Sequence, residues 1–263
     1  MSPGASTVEL RSGAATDVGR VREVNEDAYL AAPPLFVVAD GMGGHDGGDV
    51  ASRIVVEEFA RLAEEGYDPR HGVEVVAGTF AASHQRITEY AEEQSRRTGR
   101  DFTAGTTAVV ALLVEHDEGP RWLLANLGDS RVYRFSGAEL TQVSVDHSLV
   151  QELVDEGSIA REQMGSHPAR HVVTRALGGP SPDEADYFEL SLAEAGRLLL
   201  CSDGVTEMLD DPTLARILGA ATDPREAAEE VVAAAVRAGG RDNATAIVVD
   251  VVGLVDGVSG GVA

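Results

Sequence analysis

The stretch FVVADGMGGHDGGDVAS, Phe36 to Ser52, joins an apolar run to a glycine-rich loop and then to a helical pattern. Leu35 to Ala39 reads as a buried strand that stops at Asp40, and five of the next eight residues are glycine. From about Asp49 to Glu65, apolar Ala51, Ile54, Val55, Phe59 and Leu62 recur at spacings of three and four, the mark of a helix with one buried face. A carboxylate at such a strand tip can start a turn, cap a helix, act as a base or hold a cation. The rest of the chain has to decide among these.

A second helical stretch covers about Val73 to Arg97, with Gly99 as its stop. The period then changes: TTAVVALLVE (Thr106 to Glu115) and RWLLANLGDSRVYRF (Arg121 to Phe135) are rich in branched and aromatic residues, and HDEGP between them reads as a turn. Paired antiparallel strands are expected there. His147 to Gly157 predicts a short helix, and 158–182, rich in Gly, Pro and His, predicts a loop or small subdomain. Arg197 to Cys201 is another apolar strand, followed by Ser-Asp-Gly; Pro224 to Ala238 is a helix with Pro in its first turn; Ala244 to Val252 is the last strand. No repeat or linker divides the chain. The expectation is a single α+β domain over 7–253 with helices covering antiparallel sheets, and flexible termini at 1–6 and 254–263.

With 263 residues, 43% of them hydrophobic, the chain can bury a substantial core. Its formal net charge is −23, and all 21 cationic side chains are Arg. That charge opposes nonspecific binding to nucleic acid or anionic membranes. No apolar run approaches the roughly 20 residues that cross a bilayer, and the start MSPGASTVELRSG lacks the pattern of a secretion signal. The single cysteine, Cys201, can form neither an internal disulfide nor a thiolate zinc site. A cytoplasmic, freely diffusing monomer is expected.

Two apolar strands end alike, Asp40-Gly41 after LFVVA and Asp203-Gly204 after RLLLCS. Asp242 precedes the final strand in GGRDNAT, Asp129 lies in NLGDSR, and Glu26 and Asp27 occur in RVREVNEDAY. One such Asp is ordinarily a turn residue. Several can converge, because strand ends in a compact sheet share a cleft. Two carboxylates about 5 Å apart repel by about 3 kcal/mol at an effective dielectric of 20, so a cluster requires protons or cations. Oxygen donors without a Cys or multi-His set suit Mg²⁺ or Mn²⁺ better than zinc. Glycine after the acid lets the backbone approach an ion closely.

Other loop chemistries fail on particular residues. A phosphate-cradling GxxxxGK[ST] loop needs a lysine, and the chain has none. A GxGxxG fingerprint from Gly41 meets Asp46 where its third Gly belongs. A calcium loop from Asp40 meets Met42, Gly44 and Ala51 at positions that need ligands. Cys201 has Glu207 where a cysteine phosphatase needs Arg, and Ser130 is not in a GxSxG turn.

The motifs VREVNEDA (21–28), VVADGMGGHDGGDVAS (37–52), AGTTAVVALL (104–113), ANLGDSRVYR (125–134), DHSLVQELVDEG (146–157), HPARHVVTRALG (167–178), LLLCSDGVTEML (198–209) and GGRDNATAIVV (239–249), in this order, resemble the metal-dependent Ser/Thr protein phosphatases of the 2C (PPM) type. The match is best to the bacterial members that oppose Ser/Thr kinases. The resemblance implies an antiparallel β-sandwich flanked by helix pairs, with a flap at 158–182 and two or three Mn²⁺ or Mg²⁺ ions that activate water for attack on a phosphoserine or phosphothreonine ester. Carried over, Asp40 bridges two ions, Asp203 and Asp242 complete one shell, and Glu26 and the Gly41 carbonyl serve the other. Asp27 supports the ligands from behind, and Asp129 matches a position that helps hold a third, weaker ion. The flap ligand stays open among Ser158, Ser166 and His171. Arg22 is implied as the phosphate-binding residue and His45 as the proton donor to the leaving group, while His147 is read as holding its loop by hydrogen bonds. The implied partners are phosphorylated proteins, among them Ser/Thr kinases and kinase substrates. Alternatives are a phosphatase of anti-anti-sigma-type regulators and a noncatalytic scaffold of the same fold.

Overall fold

The computed structural model describes residues 7–42 and 47–255. Two antiparallel sheets form its centre. One is ordered β1 (Thr7–Asp17), β11 (Ala244–Val255), β10 (Arg197–Cys201), β7 (Arg131–Ser136), β8 (Glu139–Gln142). The other is ordered β2 (Asp27–Ala32), β3 (Leu35–Met42), β5 (Ala108–His116), β6 (Gly119–Leu127), β9 (Asp186–Ser191), with the two-residue β4 (Gly105–Thr106) paired to the end of β3. The helices are α1 (Gly48–Glu65), α2 (Gly72–Thr98), α3 (Leu149–Asp155), the single turn α4 (Asp203–Thr206), α5 (Asp211–Ala220) and α6 (Pro224–Ala238).

The continuous apolar runs have a simple cause: the central strands are covered on both faces. In β3, Phe36 and Val38 point between the sheets, where they meet Trp122, Leu124, Val132, Leu198, Leu200 and Ile247. Leu35, Val37 and Ala39 point the other way, onto Ala51, Ile54, Val55 and Phe59 of α1 and onto Phe80 and Ile87 of α2. Alternation in β10 does the same on the far side, where Leu199 and Cys201 pack with Leu214 of α5 and with Ala227, Val231 and Ala235 of α6. The result is four layers, helix, sheet, sheet, helix, as expected. Cys201 is a buried core residue, its thiol pushed up to about 12 by burial.

Two expectations need correction. β3 does not stop at Asp40; it runs on to Met42, because Gly41 and Met42 pair with Thr106 and Gly105. The stretch from Arg121 to Phe135 is not one strand of a hairpin. β5 and β6 pair as expected, but at Gly128, whose φ of +118° suits glycine, the chain leaves one sheet and enters the other as β7. A Cβ on Gly128 would lie 2.5 Å from the Thr107 side chain, so this crossover presses tightly on the start of β5. Asp129 therefore sits at a bridge between sheets.

Candidate metal centre

The crossover, the tip of β3, the start of α4 and the loop before β11 all open onto one end of the sandwich. A cavity of about 670 Å³ there is lined by Arg22, Glu26, Asp40, Gly41, Asp129, Asp203 and Asp242, with Arg170 and His171 of the 158–182 segment on its wall. A larger cavity, about 840 Å³, lies around the Pro33–Pro34 turn; it is mostly apolar and contains none of these residues.

Register brings the first acids together. Asp27 and Asp40 are directly opposed across β2 and β3, an arrangement that costs stability between like charges. The backbone of Asp40 is pinned from the other side: the Thr107 N–H donates to its carbonyl at 2.9 Å and the Thr106 hydroxyl does so at 2.8 Å. Thr107 Oγ1 also lies 2.7 Å from Ser130 Oγ, which ties the β3 tip to the crossover that carries Asp129. Asp203 enters from the opposite sheet. The Ser202 N–H donates to the Thr245 carbonyl at 3.1 Å and the Val205 N–H returns to the Ser202 carbonyl, so the chain turns into α4 directly after β10.

Burial pushes the Asp40 and Asp203 carboxyls well above the usual range, and nearby acids push further: Asp27, Asp203 and Asp129 on Asp40, and Asp129, Glu207 and Asp242 on Asp203. Burial likewise raises Asp27 to about 6 and Asp129 to about 6, the latter with repulsion from Asp146. Asp27 stands behind the cavity wall. Its Oδ2 accepts from the Ser202 hydroxyl at 2.8 Å, while its buried Oδ1 has no hydrogen-bond partner among the described residues.

Asn243 was not singled out from the sequence, yet it organises the entry loop. Its Oδ1 accepts from the Glu26 N–H at 2.8 Å, and its Nδ2 donates to the carbonyls of Val18 and Val24 at 3.0 Å each. Arg22, on that loop, donates from its Nη2 to Asp242 Oδ2 at 2.7 Å, which together with the surrounding negative charge holds the guanidinium firmly cationic. The Glu26 side chain lies against α1, since a Cβ on Gly48 would come within 2.9 Å of Glu26 Oε1. His147 is almost fully buried; its Nδ1 accepts from the Gly128 N–H at 3.1 Å and its Nε2 lies 3.2 Å from Asp186. Its hydrogen bonds thus brace the crossover. His45 lies outside the described residues.

The donors suit hard divalent cations. The cavity offers carboxylates, buried acids that repel one another, and an orphaned carboxylate oxygen behind them, with Gly41 on its wall. At Gly41 the chain is crowded by itself: an added Cβ would lie 2.3 Å from the Gly48 carbonyl oxygen and 2.6 Å from that of Glu26. No larger residue fits there with the neighbouring acids in place.

Known proteins resemble this chain in sequence and fold. The family model for protein phosphatase 2C matches residues 19–237. The serine/threonine protein phosphatase PstP of Mycobacterium tuberculosis is 38% identical over 247 residues, which are 94% of this chain and 46% of that protein, so the chain spans about half its length. The serine/threonine phosphatase stp of Listeria monocytogenes is 35% identical over 89% of this chain and 93% of its own. The crystal structure of M. tuberculosis PstP superposes with a TM-score of 0.82 at 36% identity, covering 93% of this chain and 99% of that one. The PstP catalytic domain in complex with two manganese ions superposes at 0.81, with 35% identity over 95% and 100% of the two chains. Fold and sequence agree over most of the length, and the chain belongs to the protein phosphatase 2C family.

Proposed function

We propose that this chain hydrolyses phosphoserine and phosphothreonine esters of proteins with the help of two or three Mn²⁺ or Mg²⁺ ions, opposing Ser/Thr kinases as a cytoplasmic monomer. The observation that carries the reading is the convergence of Asp40, Asp129, Asp203 and Asp242, drawn from both sheets, on one cavity that also holds Arg22. The two manganese ions of the PstP catalytic domain support the cofactor. Bound cations would supply Lewis acidity and a water activated at neutral pH.

In this reading Asp40, Asp203, Asp242, Glu26 and the Gly41 carbonyl would hold two ions, and Asp129 would help hold a third. Arg22 receives the phosphoryl group. Among the described residues one N–H of its guanidinium is taken, by Asp242, which leaves the rest of the fork for two phosphoryl oxygens. Asp27 keeps Asp40 and the Ser202 turn in place without touching an ion. His45 gives a proton to the departing Ser or Thr oxygen. The catalytic unit spans 7–253.

The test uses a phosphothreonine peptide and a small aryl phosphate. Chelator abolishes both hydrolyses, Mn²⁺ restores them, and Arg22→Ala lowers both by on the order of a hundredfold. Full activity in chelator, or a loss with Arg22→Ala on the peptide alone, contradicts the assignment.

A further inference from the structure

The acid-lined cavity is continuous with a smaller one of about 200 Å³, and the two share a stretch of wall made by Asp129, Arg170, Asp203, Glu207 and Arg241. Arg241 stands on the loop before β11, whose backbone is fixed on both sides of it. On one side the Gly240 carbonyl accepts from the Arg20 N–H at 2.7 Å, and the Gly240 N–H donates to the Ala235 carbonyl at 3.1 Å. Gly240 has φ of +54°, a conformation that suits glycine. On the other side Asp242 accepts from Arg22, and Asn243 ties the loop to the carbonyls of Val18 and Val24. Arg241 is thus carried on the same pair of joined loops as the Arg22 guanidinium.

Other cations around the two cavities are committed, Arg22 to Asp242 and Arg131 to Asp146, the latter at 2.6 Å. Glu207, an acid of the shared wall, meets His171 Nδ1 at 2.6 Å. Among the described residues the Arg241 guanidinium takes part in no hydrogen bond or ion pair, and the residue is exposed, so its donors are open to an arriving anion. We infer that Arg241 is a specificity-determining residue: it binds an acidic group of the substrate, a carboxylate or a second phosphoryl group, close to the phosphoserine or phosphothreonine. The inference rests on the proposed phosphatase activity and adds to it the kind of segment preferred. Arg22 is held on Asp242, the neighbour of Arg241 in the chain. Adjacent Cα atoms are about 3.8 Å apart and an extended peptide advances about 3.3 Å per residue, so the acid lies within about two residues of the phosphorylated one. The competing role for Arg241 is to offset the neighbouring carboxylates through space. That role acts on every substrate alike, whereas a contact reads where the acid stands.

Steady-state kinetics of the Mn²⁺-loaded full chain on phosphothreonine peptides of one length test it. One peptide has neutral flanks, two carry Asp two residues before or after the phosphothreonine, two carry a hydrolysis-resistant phosphonate at those places, and one carries Asp six residues away. The wild type should favour the near acid on one side over neutral flanks by about tenfold in kcat/KM, chiefly through KM, and should ignore the distant Asp. A preference for the phosphonate alone names a second phosphoryl group as the source; a preference shared with Asp names any acid. Arg241→Ala and Arg241→Gln should bring the ratio of near-acid to neutral peptide to about one, Arg241→Lys should keep part of it, and Arg241→Glu should invert it. Arg20→Ala, on the neighbouring loop but off the cavity wall, should keep the wild-type ratio. Equal efficiency on near-acid and neutral peptides in the wild type, an unchanged ratio in Arg241→Ala, or a preference that survives moving the Asp six residues away overturns the inference alone. Absence of hydrolysis of every peptide overturns the proposed function, and this inference with it.

Discussion

The ends of β3 and β10 carry the same short phrase, an apolar run closed by Asp-Gly, and the chain treats them differently. Asp40 remains in extended backbone opposite Asp27, with pairing continued to Met42. Asp203 opens a helical turn directly after its strand. Neither following glycine is among those with positive φ, so left-handed backbone does not account for them. Each is needed because another part of the chain passes too close: the carbonyls of Gly48 and Glu26 at Gly41, and the Asn243 carbonyl, 1.9 Å from an added Cβ, at Gly204. Like words at two strand tips thus encode the same requirement, close approach of backbone to backbone, by different local structures.

Asparagine in place of either acid tests the pair most severely. Asp40→Asn and Asp203→Asn should each lower hydrolysis of a phosphothreonine peptide by on the order of 10³, while unfolding in chelator shows stability equal to or above wild type, since a repelling buried charge is gone. A variant that loses activity only by unfolding breaks the symmetry between the tips. Next come Gly41→Ala and Gly204→Ala, each expected to destabilise by about 3 kcal/mol in urea titrations, with Gly204→Ala also loosening Asn243 and through it the Glu26 loop. If Gly204→Ala folds with wild-type stability, the close passage of Asn243 is not what the glycine serves.

Proton uptake gives a subtler contrast. Asp27, at the β3 end, and Asp129, at the crossover near Asp203, are each raised to about 6, so the folded chain binds protons more tightly than the unfolded one. Their contribution is fully present below about pH 4 and disappears as pH rises through about 6, roughly 3 kcal/mol per group. Denaturant titrations in chelator should therefore show lower stability at pH 7.5 than at pH 4.5, and Mn²⁺ should remove that slope. A flat profile in chelator contradicts it. The smallest effect belongs to Ser202→Ala, which deletes the hydroxyl that donates to Asp27 and accepts from the Thr245 N–H, at a cost of about 1–2 kcal/mol in thermal unfolding.

The sequence was most readable where burial is two-sided. β3, β5, β10 and β11 announce themselves by unbroken apolar runs, and α6 falls at Pro224–Ala238 as read. The strands that escaped, β1, β2, β8 and β9, are the four outer strands of the two sheets. An outer strand has one neighbour and partial exposure, so segments such as TVELRSGAATD and DYFELS carry no clean alternation. At the site, Asp40 and Asp203 were visible through their shared Asp-Gly setting, and the other acids through their places beside core strands. Asn243, Ser202, Thr107 and Glu207 were not, because each acts on a partner that only the folded chain brings near, as Asn243 does on Glu26 across 217 positions.

The acid-lined end draws on both sheets, with Asp40 from one, Asp203 and Asp242 from the side of the other, and Asp129 on the span between them. Ions seated there act as rivets across the seam of the sandwich, and by mass action they favour the folded chain over the unfolded one. Scarcity of manganese or magnesium would then do more than idle an enzyme: it would shorten the protein's lifetime by exposing it to proteases, so abundance and activity would fall together as the supply of ions declines.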